Sequence, residues 1–457
     1  MNAWFPRITV HSLAIVLSVL TYVLTTRVEH ERRPPSIAIA WVLGMIAVPY
    51  VVLPMYLMFG RRKLPRRVLR WSGIGSHCAH WAEDLIESFG LRPCAPAVVR
   101  LHHDGNESAA ALFATMSDAT RRLDLCTYLL GNDEFGRRAM QCMAECAQRG
   151  VQVRVLIDGV GAMQLPRSCF DELHRAGIET AIFSPLFARK TQGPRNLRNH
   201  RKMVIADGMH LWAGGRNIAA EYFVGVKGAP AWRDLSFDLT GAVAAAAAGQ
   251  FEADWVAAGG KPAAIGAAPS PATDLPEADV CRAQFLPCGP DQAEDTVHAL
   301  LIDACFHARD RILAVTPYFV PDAALETAMR LAARRGVRID LCIPLVSNHR
   351  LADFVRNRAL RSLGNAGVHI HLLPYMIHAK GVVFDESLAI SGSVNLDSRS
   401  LLLNYECAVV FYGAREIDWL SNWIGALIPE ARPFDCRAPG LLRDIGEGLL
   451  LTVAYQL

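Results

Sequence analysis

Two eight-residue stretches decide the fold: HRKMVIAD at His200–Asp207 and HAKGVVFD at His378–Asp385. Each is apolar and largely β-branched through its centre, the composition of a buried strand. In an extended chain residues two apart share a face, so His200 stands beside Lys202 and His378 beside Lys380. Asp207 and Asp385 complete the motif and are counted with the catalytic set His200, Lys202, His378 and Lys380. Seven residues past their histidines, though, they have the other parity and are expected to brace the strand or hold a basic neighbour. Each member of the second copy lies 178 residues after its counterpart, and the offset continues to Gly214 and Gly392 and to Asn217 and Asn395. A lone His-x-Lys carries little weight. Five matched positions in one register mark a duplicated unit.

Working outward, each copy sits in a repeated α/β pattern. In the first, the apolar run RLDLCTYLL precedes the helical GRRAMQCMAECAQRG and then VQVRVLIDGVG. In the second, RILAVTPYFV precedes AALETAMRLAARRG and then VRIDLCIPLV. Strand, helix ending near glycine, strand is the unit that builds parallel sheets. Two pseudo-symmetric α/β domains are therefore expected, each a mixed, mostly parallel sheet flanked by helices, with the repeats at about 95–255 and 281–430. The Ala/Pro/Gly-rich AAGGKPAAIGAAPSPATDLPEAD between them reads as a linker over 256–280. The full division is 1–70, 71–255, 256–280 and 281–457.

Two such strands brought together would converge two imidazoles and two ammonium groups on one anion. An imidazole is a nucleophile near neutral pH, and a second one can protonate a leaving alkoxide. That division requires opposite protonation states, so the two titrations are expected to be coupled. Lys202, Lys380, Asn217 and Asn395 would stabilise charge on non-bridging phosphoryl oxygens. Gly214, Gly215, Gly392 and Ser393 allow close backbone approach. With lysines supplying positive charge the chemistry calls for no metal and no cofactor. Single histidines in such settings are usually structural, and His77, His80, His102, His103, His210, His307, His349 and His371 are read that way.

The N-terminal end has another character. Ile8–Thr26 and Ser36–Phe59 contain no Lys, Arg, Asp or Glu. At 1.5 Å per residue either run could cross a hydrocarbon layer of about 30 Å as a helix. Arg61, Arg62, Lys63, Arg66, Arg67 and Arg70 follow directly, which places the body and both termini on the cytoplasmic side. The chain is 52% hydrophobic, too little for a polytopic transporter, and its net charge of +3 does not argue for nucleic acid. Twelve cysteines without a CxxC pair read as reduced thiols.

The segments 41–63, NLRNHRKMVIADGMHLWAGGRNIAAEY (196–222), AWRDLSFDLTG (231–241), TPYFVPD (316–322) and IHAKGVVFDESLAISGSVNLDSRSLLLNYE (377–406) resemble the phospholipase D superfamily. Within it they are similar to the bacterial cardiolipin synthases, and the likeness spans nearly the whole chain. The resemblance implies one active site between two phospholipase D-like halves, with His200 as nucleophile forming a phosphohistidine and His378 as acid. It also implies a carboxylate orienting each histidine: Glu406, 28 residues after His378, and Asp234 in the first half. The implied reaction transfers a phosphatidyl group from phosphatidylglycerol or phosphatidylethanolamine to phosphatidylglycerol at the bacterial inner membrane. Hydrolysis to phosphatidic acid uses the same residues and is the alternative. A nuclease would need a basic groove interleaved with aromatics, and a scaffold would have lost a histidine or lysine.

Overall fold

The computed structural model describes residues 5–28, 35–60, 63, 80–185, 196–262 and 280–454. Most of the expected linker, and the basic cluster apart from Lys63, lie outside these residues.

The first half contributes β1 (Ala95–His102), β2 (Arg122–Thr127), β3 (Gln152–Asp158), β4 (Glu179–Phe183), β5 (Met203–Ala206), β6 (His210–Gly214) and β7 (Ser236–Gly241). The second contributes β8 (Val280–Cys288), β9 (Arg311–Val315), β10 (Phe319–Val320), β11 (Arg338–Pro344), β12 (His369–Leu373), β13 (Gly381–Phe384), β14 (Leu388–Gly392), β15 (Leu396–Asp397), β16 (Glu406–Phe411) and β17 (Arg432–Pro433). Fifteen of these form one sheet in the order β17-β12-β11-β9-β13-β14-β16-β8-β1-β7-β6-β5-β2-β3-β4. From the β1/β8 seam outward the two halves run through equivalent strands, so the duplication in sequence is a duplication in space.

The expected mostly parallel sheets are corrected by the pairing. Only β2/β3, β3/β4, β9/β11 and β11/β12 are parallel within the large sheet. The strands after the histidines form antiparallel ladders, β5 with β2 and β6, and β13 with β9 and β14. A strand-helix-strand crossover returns the chain parallel, whereas the short turns at 207–209 and 385–387 allow only hairpins.

The halves also share a core. Phe237 on β7 meets Phe411 on β16 edge-on, with ring centroids 5.4 Å apart. Ala97, Ala283, Phe251 and Trp255 join the same buried cluster beneath the seam. Two further cores cover the other face, one per half. Helix Trp81–Ser88 precedes β1 in sequence, yet its Ala82 and Ile86 pack into the second-half core.

At the N-terminus, helices α1 (Phe5–Val28), α2 (Pro35–Ala47) and α3 (Pro49–Phe59) pack through Tyr22, Met45 and Tyr56, and Thr25 Oγ1 lies 2.6 Å from the Tyr56 hydroxyl. Leu13, Val16, Leu43 and Tyr50 remain exposed. The single helix expected over 36–59 is instead two, because Pro49 begins a new helix at N1 after Val48 leaves helical geometry. At 1.5 Å per residue these pieces span about 20 and 16 Å, short of a bilayer core of about 30 Å. Among the described residues no helix is both long and apolar enough to cross a membrane. Lys63 reaches the body, donating to the carbonyl of Gly289 at 3.0 Å and pairing with Asp295 at 2.8 Å.

Candidate active site

The His and Lys of each motif lie just ahead of their strands, since β5 begins at Met203 and β13 at Gly381. The approach is held across the halves. His200 N donates to the Tyr405 carbonyl at 2.8 Å, and His378 N donates to the Arg233 carbonyl at 2.7 Å. Each histidine is thus stitched beside the residue preceding the other half's carboxylate. The ring contacts follow: His200 Nδ1 lies 2.9 Å from Glu406 Oε1, and His378 Nδ1 lies 2.7 Å from Asp234 Oδ2. The implied pairing of Glu406 with His378 is therefore corrected. Orientation is exchanged between the halves, so neither histidine is positioned by its own repeat alone.

An Nδ1–H donated to a carboxylate leaves the Nε2 lone pair as the reactive position. Glu406 is steadied on its other oxygen by the Ser393 hydroxyl. Gly215 stands at the equivalent place in the first half, where a Cβ would come within 2.2 Å of Asp234 Oδ1. Gly214 and Gly392 serve close packing of a neighbouring strand: a Cβ would lie 2.5 Å from the Leu235 carbonyl and 2.3 Å from the Cys407 carbonyl.

Both lysines are buried. Lys202 Nζ donates to the His200 carbonyl at 2.7 Å. Lys380 Nζ lies 2.8 and 3.0 Å from the two ring nitrogens of His378. Burial and the neighbouring ammonium groups bring the imidazoles down, His200 to about 4 and His378 to about 3, against the opposing pull of their carboxylates. Burial likewise lowers Lys202 to about 8 and Lys380 to about 7. Both imidazoles are therefore neutral near neutral pH, and an arriving phosphodiester anion favours protonation of one of them.

Asp207 and Asp385 stand apart from this group. Five residues of extended chain separate each from its lysine, about 16 Å. Asp207 accepts from the amides of Thr120, Arg121 and Arg122, and Asp385 from those of Arg309, Asp310 and Arg311. Both adopt positive φ, 54° and 50°. They brace the chain leading into β2 and β9, which their parity implied; a catalytic part is corrected. Asn217 and Asn395 do line the cavity. Their amides donate to the Tyr222 hydroxyl at 2.8 Å and the Ser400 hydroxyl at 3.1 Å. Hydroxyls accept as readily as they donate, so either amide can turn to offer N–H groups to a ligand.

The cavity between the halves has a volume of about 290 Å³. Tyr222 and Trp232 face His378, with centroids at 5.1 and 5.8 Å, while Tyr128 meets His200 at 5.1 Å. Arg399, within the 377–406 resemblance, also lines it, as do Arg198, Tyr318 and His349, which are not among the sequence candidates. His349 had been set aside as structural. Tyr222 and Ser400 obey the 178-residue offset, so continuing the comparison five residues past the asparagines would have found them. No signal of that kind marks Tyr128 or Tyr318. His102 pairs with Asp238 and His371 with Asp340, and neither lines the cavity. Among the described residues no cluster of His, Cys, Asp and Glu is arranged to hold a metal ion.

The family model described as "Cardiolipin synthase, PLD-like domain" matches residues 112–255 and 301–428, and a phospholipase D-nuclease N-terminal model matches 14–61. The chain belongs to this phospholipase D-like cardiolipin synthase family. "Cardiolipin synthase A" of Pseudomonas fluorescens Pf-5 is 30% identical over 81% of each chain. "Major cardiolipin synthase ClsA" of Bacillus subtilis is 29% identical over 88% of each. A phosphatidylserine synthase of Haemophilus influenzae shares the fold, with a TM-score of 0.60 at 13% identity over 82% of this chain and 98% of that one. The duplicated phospholipase D-like motif on which the resemblance rested therefore lies inside both matched regions.

Proposed function

We propose that this chain is a phosphatidyltransferase that makes cardiolipin. One observation carries the reading. A histidine from each half lines one cavity, each held by a carboxylate from the other half, with the ammonium of its own motif's lysine buried against it. In the first step His200 Nε2 attacks phosphorus, the bond to the headgroup oxygen breaks, and His378 gives that oxygen its proton. In the second, His378 takes the proton from a phosphatidylglycerol hydroxyl, which attacks phosphorus and frees His200. Lys202 and Lys380 hold the phosphoryl oxygens throughout, and low dielectric strengthens their attraction. The assignment of nucleophile and acid follows the family resemblance.

Phosphatidylglycerol and phosphatidylethanolamine are the candidate donors. A bacterial cytoplasmic membrane, with the body on its inner face, is the proposed location. The uncharged runs 8–26 and 36–59, the exposed apolar residues of α1 to α3 and the basic cluster that follows support it. The test is the protein reconstituted in vesicles of phosphatidylglycerol labelled in its headgroup glycerol. Cardiolipin and free glycerol are expected in equal amounts, and neither from His200→Ala or His378→Ala. Phosphatidic acid as the only lipid product would overturn the transferase reading in favour of hydrolysis. Ethanolamine released after adding phosphatidylethanolamine would identify the second donor.

A further inference from the structure

Phosphatidyl transfer between lipids brings two phosphates into one site. The donor phosphate is met by the two imidazoles and two lysines. The acceptor carries its own phosphate, three glycerol carbons from the hydroxyl that attacks. Besides the two lysines buried behind the histidines, two permanent cations, Arg198 and Arg399, line the cavity wall itself. They come from the two halves: Arg198 precedes the first motif, and Arg399 lies in the helix Ser398–Leu402.

Several observations put these guanidiniums together on the His200 side. Both act electrostatically on the Tyr128 phenol, whose ring lies 5.1 Å from that of His200. Burial, and after it the neighbouring Arg198 charge, lowers the Arg399 pKa against the opposing pull of Asp397. Each is oriented by the protein. Arg198 donates to Asp158 Oδ1 at 3.3 Å and to the Ser184 hydroxyl at 2.7 Å, while Arg399 donates to the Asn196 carbonyl at 2.7 Å. Asp158 is heavily committed elsewhere, accepting from the amides of Val160 and Asn199 at 2.8 Å. Asp397 caps the Ser398–Leu402 helix through the Ser400 amide. Two like charges kept adjacent in the cavity wall, Arg198 buried and Arg399 half-buried, are relieved by an anion, and guanidinium matches phosphate in bidentate geometry.

We propose that Arg198 and Arg399 form a second phosphate subsite, which holds the phosphate of the acceptor phospholipid so that its glycerol hydroxyl reaches the phosphorus bound at His200. This rests on the transferase reading and deepens it, because a hydrolase needs no such subsite. Water reaches the intermediate without a phosphate to anchor.

The test compares two acceptors on one donor. With phosphatidylglycerol vesicles and labelled free glycerol, the site can make cardiolipin, or it can exchange label into phosphatidylglycerol through an acceptor lacking phosphate. Arg399→Gln should lower cardiolipin formation at least tenfold relative to exchange and raise the hydrolysed fraction. Arg399→Lys, which keeps the charge and loses the fork, should recover part of the ratio, and Arg198→Lys should lower it. Thermal unfolding of each variant checks that the fold is intact. Equal loss of both products in a folded variant would assign the arginines to holding the site together and overturn the subsite, as would an unaltered ratio. A wild-type protein that makes no cardiolipin would instead refute the transferase reading, so the two failures are distinguishable.

Discussion

Replacing Glu406 by Gln tests the exchange of carboxylates between halves. The change keeps size and hydrogen-bonding capacity but removes the charge that receives the His200 Nδ1 proton at 2.9 Å. The pair is buried, with a Glu406 side-chain exposure of 0% and a His200 value of 16%, so solvent screens it little. A hydrogen bond to a charged partner contributes about 1.5–3 kcal/mol. At 1.36 kcal/mol per decade, turnover should fall roughly 10- to 150-fold. The location of the effect is the sharper test. Nitrogen-15 imidazole NMR should show the His200 tautomer and pKa changing, with the pKa moving further down, while His378 keeps its spectrum. Asp234→Asn should do the reverse. If Glu406→Gln altered His378 and spared His200, the cross-half pairing and the argument from the Tyr405 and Arg233 carbonyls would both be wrong.

Other expectations follow from the same geometry. Lys380 and Lys202 are lowered to about 7 and about 8, so they lose charge as pH rises through that window. A pH profile of kcat/KM, which reports the free enzyme, should therefore fall between about pH 7 and 8, with the limb in kcat displaced upward by the bound phosphate; a flat profile to pH 9 would contradict the lysine role. Asp207→Ala should cost about 1–3 kcal/mol on chemical denaturation by orphaning amides of Thr120, Arg121 and Arg122, while turnover per folded molecule persists. Phe237→Ala should cost about 3–5 kcal/mol and loosen both halves in one transition, which calorimetry would resolve.

Much of the site is legible in the sequence. The fixed offset between copies located both histidines, both lysines and both asparagines, because local spacing constrains which side chains share a face. Parity alone separated Asp207 and Asp385 from the reacting groups. The carboxylate exchange was not legible, since it depends on the seam at β1/β8 bringing Tyr405 beside Asn199 and Arg233 beside Ile377. Strand direction misled for a related reason. The strand-helix-strand units are real, but they account for only the outer strands of each half, and the hairpins after the motifs dominate the sheet. At the N-terminus, apolar composition marked the second run while Pro49 decided where its helix divides.

The central claim is that histidines from two halves of one chain act in turn on a single phosphorus. It is tested most directly by rapid quench with phosphatidylglycerol under alkaline conditions, which preserve a phosphohistidine, followed by mass spectrometry of the peptides bearing His200 and His378. The account predicts a phosphatidyl adduct on His200 alone, formed and consumed within the turnover time and absent from His200→Ala. An adduct on His378 would reverse the two roles, and turnover with no adduct on either histidine would contradict the two-step mechanism.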